Sequence, residues 1–261
     1  MRFPGTALLS PLLFAVILLF GSESLAAPDP SPASLYNEAN RLYKEGNYQE
    51  AASTYTELAS KGVTNGYLFY NLGNAYFKQG AIGKTILWYS RAKTLLPRDN
   101  DVATNLEFAR RVRPDKIEEM PLPRLVVAVR DVIFGLNLSE LTLTAFLLYL
   151  LTAAAFVAFF LSREPSGRRV IGRIAAVLGI VLAVSLLWLG GRIYHADRTV
   201  GCVVMVSQVD AMSGPGNEYT KVISLHEGAE ALVQEEREGW YLIKLSSGLG
   251  GWIPRESVEL L

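Results

Sequence analysis

Two residue types that carry much of protein chemistry are nearly missing from this chain. Among 261 residues there is one cysteine, Cys202, and there are two histidines, His195 and His226. One cysteine excludes an internal disulfide. Cys202 sits in the apolar run VGCVVMV, where a buried, inert thiol is expected. A lipid-bearing cysteine would come directly after the N-terminal apolar run, and none does. The histidines fall at the end of an apolar run and in a C-terminal turn, so no Cys–His couple is available for nucleophilic catalysis. His, Cys, Asp and Glu do not cluster at metal-ligand spacing. The carboxylates of 235–238 fall on a hairpin without a cleft to shift a pKa. Surplus charge is also missing: 25 Lys and Arg balance 25 Asp and Glu, so the composition gives no hint of a groove that tracks a phosphate backbone. These absences argue against an enzyme, against any cofactor and against nucleic acid as partner.

The chain does have hydrophobicity gathered into runs. The N-terminus reads MRFPG, then TALLSPLLFAVILLF, then GSESLAAPDP. A short positive region, an apolar core of roughly 14 residues and small residues at Ser24 and Ala26 make a signal peptide over 1–26. An uncleaved anchor is the alternative, and either one exports the chain beyond it. A second run, 141–161, is free of charge and long enough to cross a ~30 Å hydrocarbon layer. A third, 174–191, is shorter, but Arg173 and Arg192 can snorkel from its ends and Trp188 suits an interface. Neither run carries the polar stripe of a soluble core helix.

Between them lies an eight-residue loop, 162–169, expected as a tight hairpin around Pro165–Ser166–Gly167. Arg163, Arg168 and Arg169 outnumber Glu164 there, and Arg173 adds to them. The positive-inside rule places that tip in the cytoplasm, against a modest counterweight from Arg124, Arg130, Arg192 and Arg198 on the other flanks. The export signal gives the same orientation. Both large polar parts are then extracytoplasmic, on a two-pass protein of a bacterial cytoplasmic (inner) membrane. Residues 123–137 place Leu125, Val129, Val132, Ile133 and Leu136 on one helical face. They read either as an amphipathic helix on the outer surface or as an extension of the segment before it.

That segment, 34–113, repeats. Gly46 and Gly80 lie 34 residues apart, and the same offset links Tyr36 to Tyr70, Asn37 to Asn71, Asn40 to Asn74 and Tyr55 to Tyr89. Small residues at Ala39, Ala51, Gly73 and Ala92 allow close helix approach, and Tyr55, Tyr76 and Tyr89 fill the gaps. NDVATNLEFARRVR, 100–113, reads as a helix closing the stack. Tyr36, Asn40 and Tyr43 share one helical face, as do Tyr70, Asn74 and Phe77. With Asn37 and Asn71 they make a candidate protein-binding groove for an extended peptide or a helix, against the alternative of consensus residues that bind nothing. GAIGKT, 80–85, is not a phosphate loop: its glycines are too close and it comes after a helix, not a strand.

Residues 199–261 change to short β-rich runs between turns. Glu227, Glu230, Glu235, Glu236 and Glu238 gather there and are expected as a solvated face.

Three resemblances carry these readings further. LFYNLGNAYFKQGAIGKTILWYSRAKTLLP resembles the tetratricopeptide consensus at Leu72, Gly73, Tyr76, Gly80, Tyr89, Ala92 and Pro97. The preceding unit matches at Ala39, Gly46, Tyr48, Ala51 and Tyr55 and departs at Val63. In such repeats Asn at the Asn40 and Asn74 places holds a peptide backbone, while the lysine pairs that grip a terminal carboxylate are not evident here. The C-terminal segment resembles the bacterial SH3 (SH3b) domain in Ser213–Gly216 with Tyr219, Leu225 to Gly228, Trp240 to Ile243 and Gly251–Ile253. It departs at Asp210, Ala211 and Met212. That likeness implies a candidate ligand cleft at Tyr219, Trp240 and Trp252 for cell-wall peptide. The two tryptophans also read as core or groove wall.

The fold class expected is multidomain: an all-α tetratricopeptide module, a two-helix transmembrane hairpin and an all-β SH3-like barrel. The order is 1–26 signal peptide, 34–64 and 66–99 repeats with their closing helix, 123–137 surface helix, 141–161 and 174–191 spans, and 199–261 barrel. This order, with NLEFAR after the last repeat, resembles the BatE-like proteins of the Bacteroides aerotolerance type. The likeness implies an envelope scaffold among membrane partners carrying von Willebrand A domains. Cell-wall sensing through the barrel is the alternative.

Overall fold

The computed structural model describes residues 30–116, 123, 125–126, 135–198 and 200–261. The expected signal peptide lies outside them, as does most of the expected surface helix at 123–137. Among the described residues five helices come first: α1 (Pro32–Lys44), α2 (Tyr48–Ser60), α3 (Gly66–Lys78), α4 (Ile82–Leu95) and α5 (Asn100–Val112). Their starts are written locally. Ser31 caps α1 ahead of Pro32, Asn65 accepts from the Tyr67 and Leu68 amides, and Asp99 accepts from those of Asp101 and Val102. Gly46 and Gly80 turn the chain between paired helices at φ of 86° and 76°, where a side chain would be strained. Each helix packs on the next. The contacts close through Ala39, Ala51, Ala75, Ala92 and Ala109, all fully buried. At Gly73 an added Cβ would lie 2.5 Å from the Tyr89 ring. The buried tyrosine fills the space the glycine leaves.

The C-terminal strands β1 (Val200–Val204), β2 (Gln208–Met212), β3 (Lys221–His226), β4 (Glu230–Arg237), β5 (Trp240–Lys244), β6 (Gly250–Pro254) and β7 (Val258–Leu260) form one antiparallel sheet. Its order is β3-β2-β6-β5-β4-β1-β7. The expectation of a closed barrel is corrected here: the sheet is open between β3 and β7. Side chains of the helical stack take backbone groups at both edges. The His226 amide donates to Asp115 Oδ2 at 2.7 Å, and the Leu260 carbonyl accepts from Arg91 at 2.6 Å. Covering an edge in this way removes a template for unwanted strand pairing.

Strand β1 explains why the sheet lies against the helices. Successive strand residues face opposite ways. Cys202 and Val204 enter the core of the sheet with Leu225, Tyr241, Ile243 and Ile253. Val203, fully buried, enters the core of the helical stack with Ile86 and Leu87. A strand covered on both faces is apolar throughout, and VGCVVMV fits that rule.

Polar contacts then lock the two modules. Helix α4 begins at Ala81, which has no capping side chain, and has no acid in its first turn. Glu227 supplies the missing acceptor from the sheet: the Gly83 amide donates to its Oε1 at 2.8 Å. A carboxylate there satisfies an orphan amide and the positive helix end together. Gly83 must stay small, because a Cβ would lie 2.8 Å from Glu227 Cγ and 2.9 Å from the Val204 carbonyl oxygen. Glu230 takes two hydrogen bonds from Arg110, at 2.7 and 2.8 Å, and one from Arg113 at 3.0 Å. The Arg113 side chain is only 7% exposed. Asp115 meets the His226 ring at 2.7 Å. The acidic run is therefore not one solvated face. Glu235 and Glu236 are exposed and pair with Arg237 and Arg255, whereas Glu227 and Glu230 are docking residues. Strand alternation and the β3–β4 turn send them to the helices.

Helices α6 (Leu138–Leu161) and α7 (Pro165–Arg198) pack on each other as an antiparallel pair. Both are long and apolar enough to cross a membrane, with mean hydropathy of 2.3 and 2.5 over their apolar windows. Large apolar side chains such as Phe146, Phe160, Ile180 and Leu187 stay uncovered. The connection is shorter than the sequence suggested. Only Ser162, Arg163 and Glu164 lie between the helices, and Pro165–Ser166–Gly167 is the first turn of α7 rather than a loop. Proline fits there because a first-turn amide has no intrahelical acceptor to lose. At the other end Asn137 and Glu140 form a capping box. Asn137 Nδ2 donates to the Leu95 carbonyl at 3.3 Å, Glu140 pairs with Arg98, and Arg192 donates to the Leu136 carbonyl at 3.2 Å. The apolar pair is thus tied to the end of α4.

The docking contact yields a stability prediction. Glu230→Ala strips Arg113 and Arg110 of their carboxylate and is expected to cost about 3 kcal/mol. Glu235→Ala, at an exposed pair, should stay within about 0.5 kcal/mol. Urea unfolding of the detergent-solubilised protein, monitored by tryptophan fluorescence, measures both; equal effects would contradict the assignment of Glu230 to the interface.

Candidate functional site

Helices α1, α3 and α5 line the concave side of the stack, and an amide–phenol ladder runs across them. Asn40 Oδ1 accepts from the Tyr55 hydroxyl at 2.6 Å and from Asn71 Nδ2 at 3.2 Å. Asn71 Nδ2 also donates to the Tyr36 hydroxyl at 3.0 Å. One repeat later Asn74 Oδ1 accepts from the Tyr89 hydroxyl at 2.6 Å and from Asn105 Nδ2 at 3.5 Å. Asn105 Nδ2 donates to the Tyr70 hydroxyl at 2.7 Å. The rings keep the same register: Tyr36 and Tyr55 centroids lie 6.0 Å apart, and those of Tyr70 and Tyr89 lie 5.7 Å apart. Burial pushes the Tyr55 and Tyr89 hydroxyls well above the ordinary phenol range, and those of Tyr43 and Tyr70 upward too. All four stay protonated and can donate.

Two adjoining hollows open beside this ladder. One, about 340 Å³, is lined by Asn40, Tyr43, Lys44, Tyr55, Asn71 and Asn74. The other, about 260 Å³, is lined by Tyr43, Asn74, Phe77, Lys78, Tyr89, Asn105 and Phe108. They share Tyr43 and Asn74. A third, apolar hollow of about 420 Å³ includes Tyr36 with Leu58, Val63 and Leu68 near the start of α1 and α3. Seven of the eight groove residues expected from sequence, namely Tyr36, Asn40, Tyr43, Tyr70, Asn71, Asn74 and Phe77, line these hollows or join the ladder. Asn37 does neither: it is exposed and makes no side-chain hydrogen bond among the described residues. Sequence reasoning missed Asn105, Phe108, Lys44 and Lys78. Asn105 carried a readable signal, since it lies 34 residues after Asn71. Phe108 stacks edge-on against Phe77 at 5.7 Å.

The residues expected to form a cleft in the sheet are arranged differently. Trp240 opposes Pro254, and Trp252 opposes Leu242 and Met212, so the two tryptophans share the outer sheet face. Trp252 is 8% exposed, with the Arg237 guanidinium 5.7 Å above its ring. Tyr219 is exposed and lies over Gly214, where an added Cβ would meet its ring at 2.5 Å. It is pinned to its own turn.

No group of three His, Cys, Asp or Glu is placed to hold a metal ion among the described residues. Cys202 is buried, and burial pushes its thiol up to about 12. The concave face offers hydrogen bonding and aromatic surface along an open trough. No family model matches the chain, and no curated protein does. Among solved structures it is similar to the TPR2AB domain–pHSP90 complex of yeast Sti1, at 22% identity and a TM-score of 0.29. The match covers 62% of this chain and 64% of that one.

The ladder can be tested as a coupled unit. Tyr55→Phe should cost about 1 kcal/mol, and Asn40→Ala about 2 kcal/mol because it strands a buried hydroxyl. The double variant should cost less than their sum. Additive losses in urea titrations would mean that the two side chains do not act on each other.

Proposed function

We propose that this protein is a non-enzymatic scaffold of the bacterial envelope, two-pass in the cytoplasmic membrane. Its tetratricopeptide-type helices hold a protein partner, as the BatE-like resemblance suggests. The observation that carries the reading is the trough of paired hollows along α1, α3 and α5. It is open, lined by aromatic rings and side-chain amides, and continuous over two repeats. Such a surface suits an extended segment of a partner, and von Willebrand A-domain membrane proteins are the class the resemblance points to. The docked sheet supports the topology. The helical stack precedes the apolar pair in the chain and the sheet comes after it, so their direct contact requires both on one side of a bilayer. The short arginine-bearing tip favours the cytoplasm for the other side. The SH3b-like sheet then braces the stack. A cell-wall role keeps support from one feature, the shared outer face of Trp240 and Trp252.

Partner capture is expected to depend on the trough and not on the sheet. Phe77→Ser with Phe108→Ser should abolish the protein cross-linked and co-purified from membranes, while Trp240→Ala should leave it in place. The reverse pattern, joined to binding of purified cell wall by the full-length protein, would transfer the function to the sheet.

Topology has a clean chemical readout because Cys202 is buried and protonated. In intact spheroplasts an impermeant maleimide should label Ser246→Cys and spare Ser166→Cys. The opposite labelling would invert the orientation.

A further inference from the structure

The trough presents more side-chain donors than acceptors. Asn40 and Asn74 have their Oδ1 occupied, Asn40 by Tyr55 and Asn71, and Asn74 by Tyr89 and Asn105, whereas Asn71 and Asn105 spend Nδ2 in the ladder and keep Oδ1 as the acceptors of the hollows. A carbonyl oxygen has two lone pairs, and at Asn40 and Asn74 both are engaged. The Nδ2 groups of Asn40 and Asn74 make no hydrogen bond among the described residues and border the hollows. The Tyr36 and Tyr70 hydroxyls each accept from an asparagine amide, so their own O–H groups remain to be given. Two ammonium groups complete the set. Lys44 lines one hollow and Lys78 the other, and both side chains are exposed without an ion pair among the described residues. No carboxylate lines either hollow. Of the nearby acids, Glu38 and Glu45 are engaged by Arg41 and Glu107 by Arg111, while Asp99 and Asp101 act on Tyr70, which lines neither hollow.

We propose that the segment held in this trough is acidic, with side-chain carboxylates directed to Lys44 and Lys78 while its main-chain carbonyls take the Asn40 and Asn74 amides. This rests on the reading of the concave face as a peptide groove and names the chemistry of its occupant. A neutral extended peptide brings as many donors as acceptors in its main chain and leaves the surplus donors unmatched. Carboxylates bring acceptors alone and carry the complementary charge. The two lysines stand in successive hollows rather than at one point. A single chain-terminal carboxylate could meet only one of them, whereas side chains projecting along an extended segment can reach both. The source is therefore an internal acidic stretch, not a C-terminus.

Fluorescence polarisation with the full-length protein in detergent tests this at low salt. The probes are three labelled dodecapeptides of one framework. The first has Glu at alternate positions and an amidated end, the second has Gln at those positions and an amidated end, and the third has Gln with a free carboxylate. The Glu peptide should bind about fivefold tighter than its Gln counterpart, the gain of two exposed ion pairs. That advantage should fade as salt rises. Lys44→Gln with Lys78→Gln should remove the advantage without lowering the melting temperature. Equal binding of the Glu and Gln peptides overturns the acidic preference and leaves the groove standing. So does an advantage that survives in the double lysine variant. Preference for the free-carboxylate probe over the Glu peptide overturns it in favour of a chain end. Binding of none of the three rejects the groove and the acidic segment together.

Discussion

Arg113 carries a guanidinium that is almost out of water, and the carboxylate that compensates it comes from another module. Glu230 satisfies Arg113 and Arg110 together, and the rest of the architecture depends on that contact. A buried arginine without its partner is costly, so helices and sheet hold each other or neither is well satisfied. Around the pair the chemistry is reciprocal. The sheet gives a carboxylate to the bare start of α4 through Glu227, and the helices give side chains to both open edges of the sheet. Val203 joins the apolar side of the exchange. A helical stack this short has a last repeat whose apolar flank must be covered. The sheet covers it, and the closing helix α5 supplies the arginines that hold it there.

This contact spans the apolar pair in sequence. Residues before α6 and residues after α7 meet in one interface, and α6 begins on a cap tied to the end of α4. The concave trough is consequently not on a free-swinging arm. Its height above the start of the apolar helices is fixed at two places, and a rigid mount would lower the entropy lost in docking the proposed extended segment.

Much of the helical part was legible because its signals are local and periodic. The 34-residue offset, the turn glycines and the capping residues Ser31, Asn65 and Asp99 act within a few residues of where they stand. The face shared by Tyr36, Asn40 and Tyr43 comes from helix geometry alone. Partnerships across 100 residues or more were not legible. Nothing in the string GAIGKT says that Gly83 must be small because Glu227 lies against it, and nothing near Glu230 announces Arg110. The acidic run read as a solvated face because a sequence shows charge but not the groups that oppose it. The open sheet was hidden for the same reason: closure depends on the surroundings of β3 and β7, and there the decisive groups are Asp115 and Arg91. Pro165 was misread through its neighbours. Pro–Ser–Gly suits a turn as well as a helix start, and only the chain on both sides selects between them.

The asparagines show why a consensus position is hard to assign to structure or to function. Asn40 and Asn74 spend their carbonyl oxygens inside the stack, on tyrosines that are themselves buried. That use alone would account for an asparagine on each helix. It also fixes which way each amide turns, because its oxygen accepts both from the phenol and from the next asparagine's Nδ2, which can only donate, and this sends the nitrogen outward. The structural bond thereby sets the chemical character of the trough. Folding orients the donors, and the donors in turn limit which ligands can be bound. If the trough binds as proposed, the two roles share one side chain, and replacing Asn40 or Asn74 cannot separate stability from binding. The lysines at the rim can, since their exposed ends make no hydrogen bond or ion pair among the described residues.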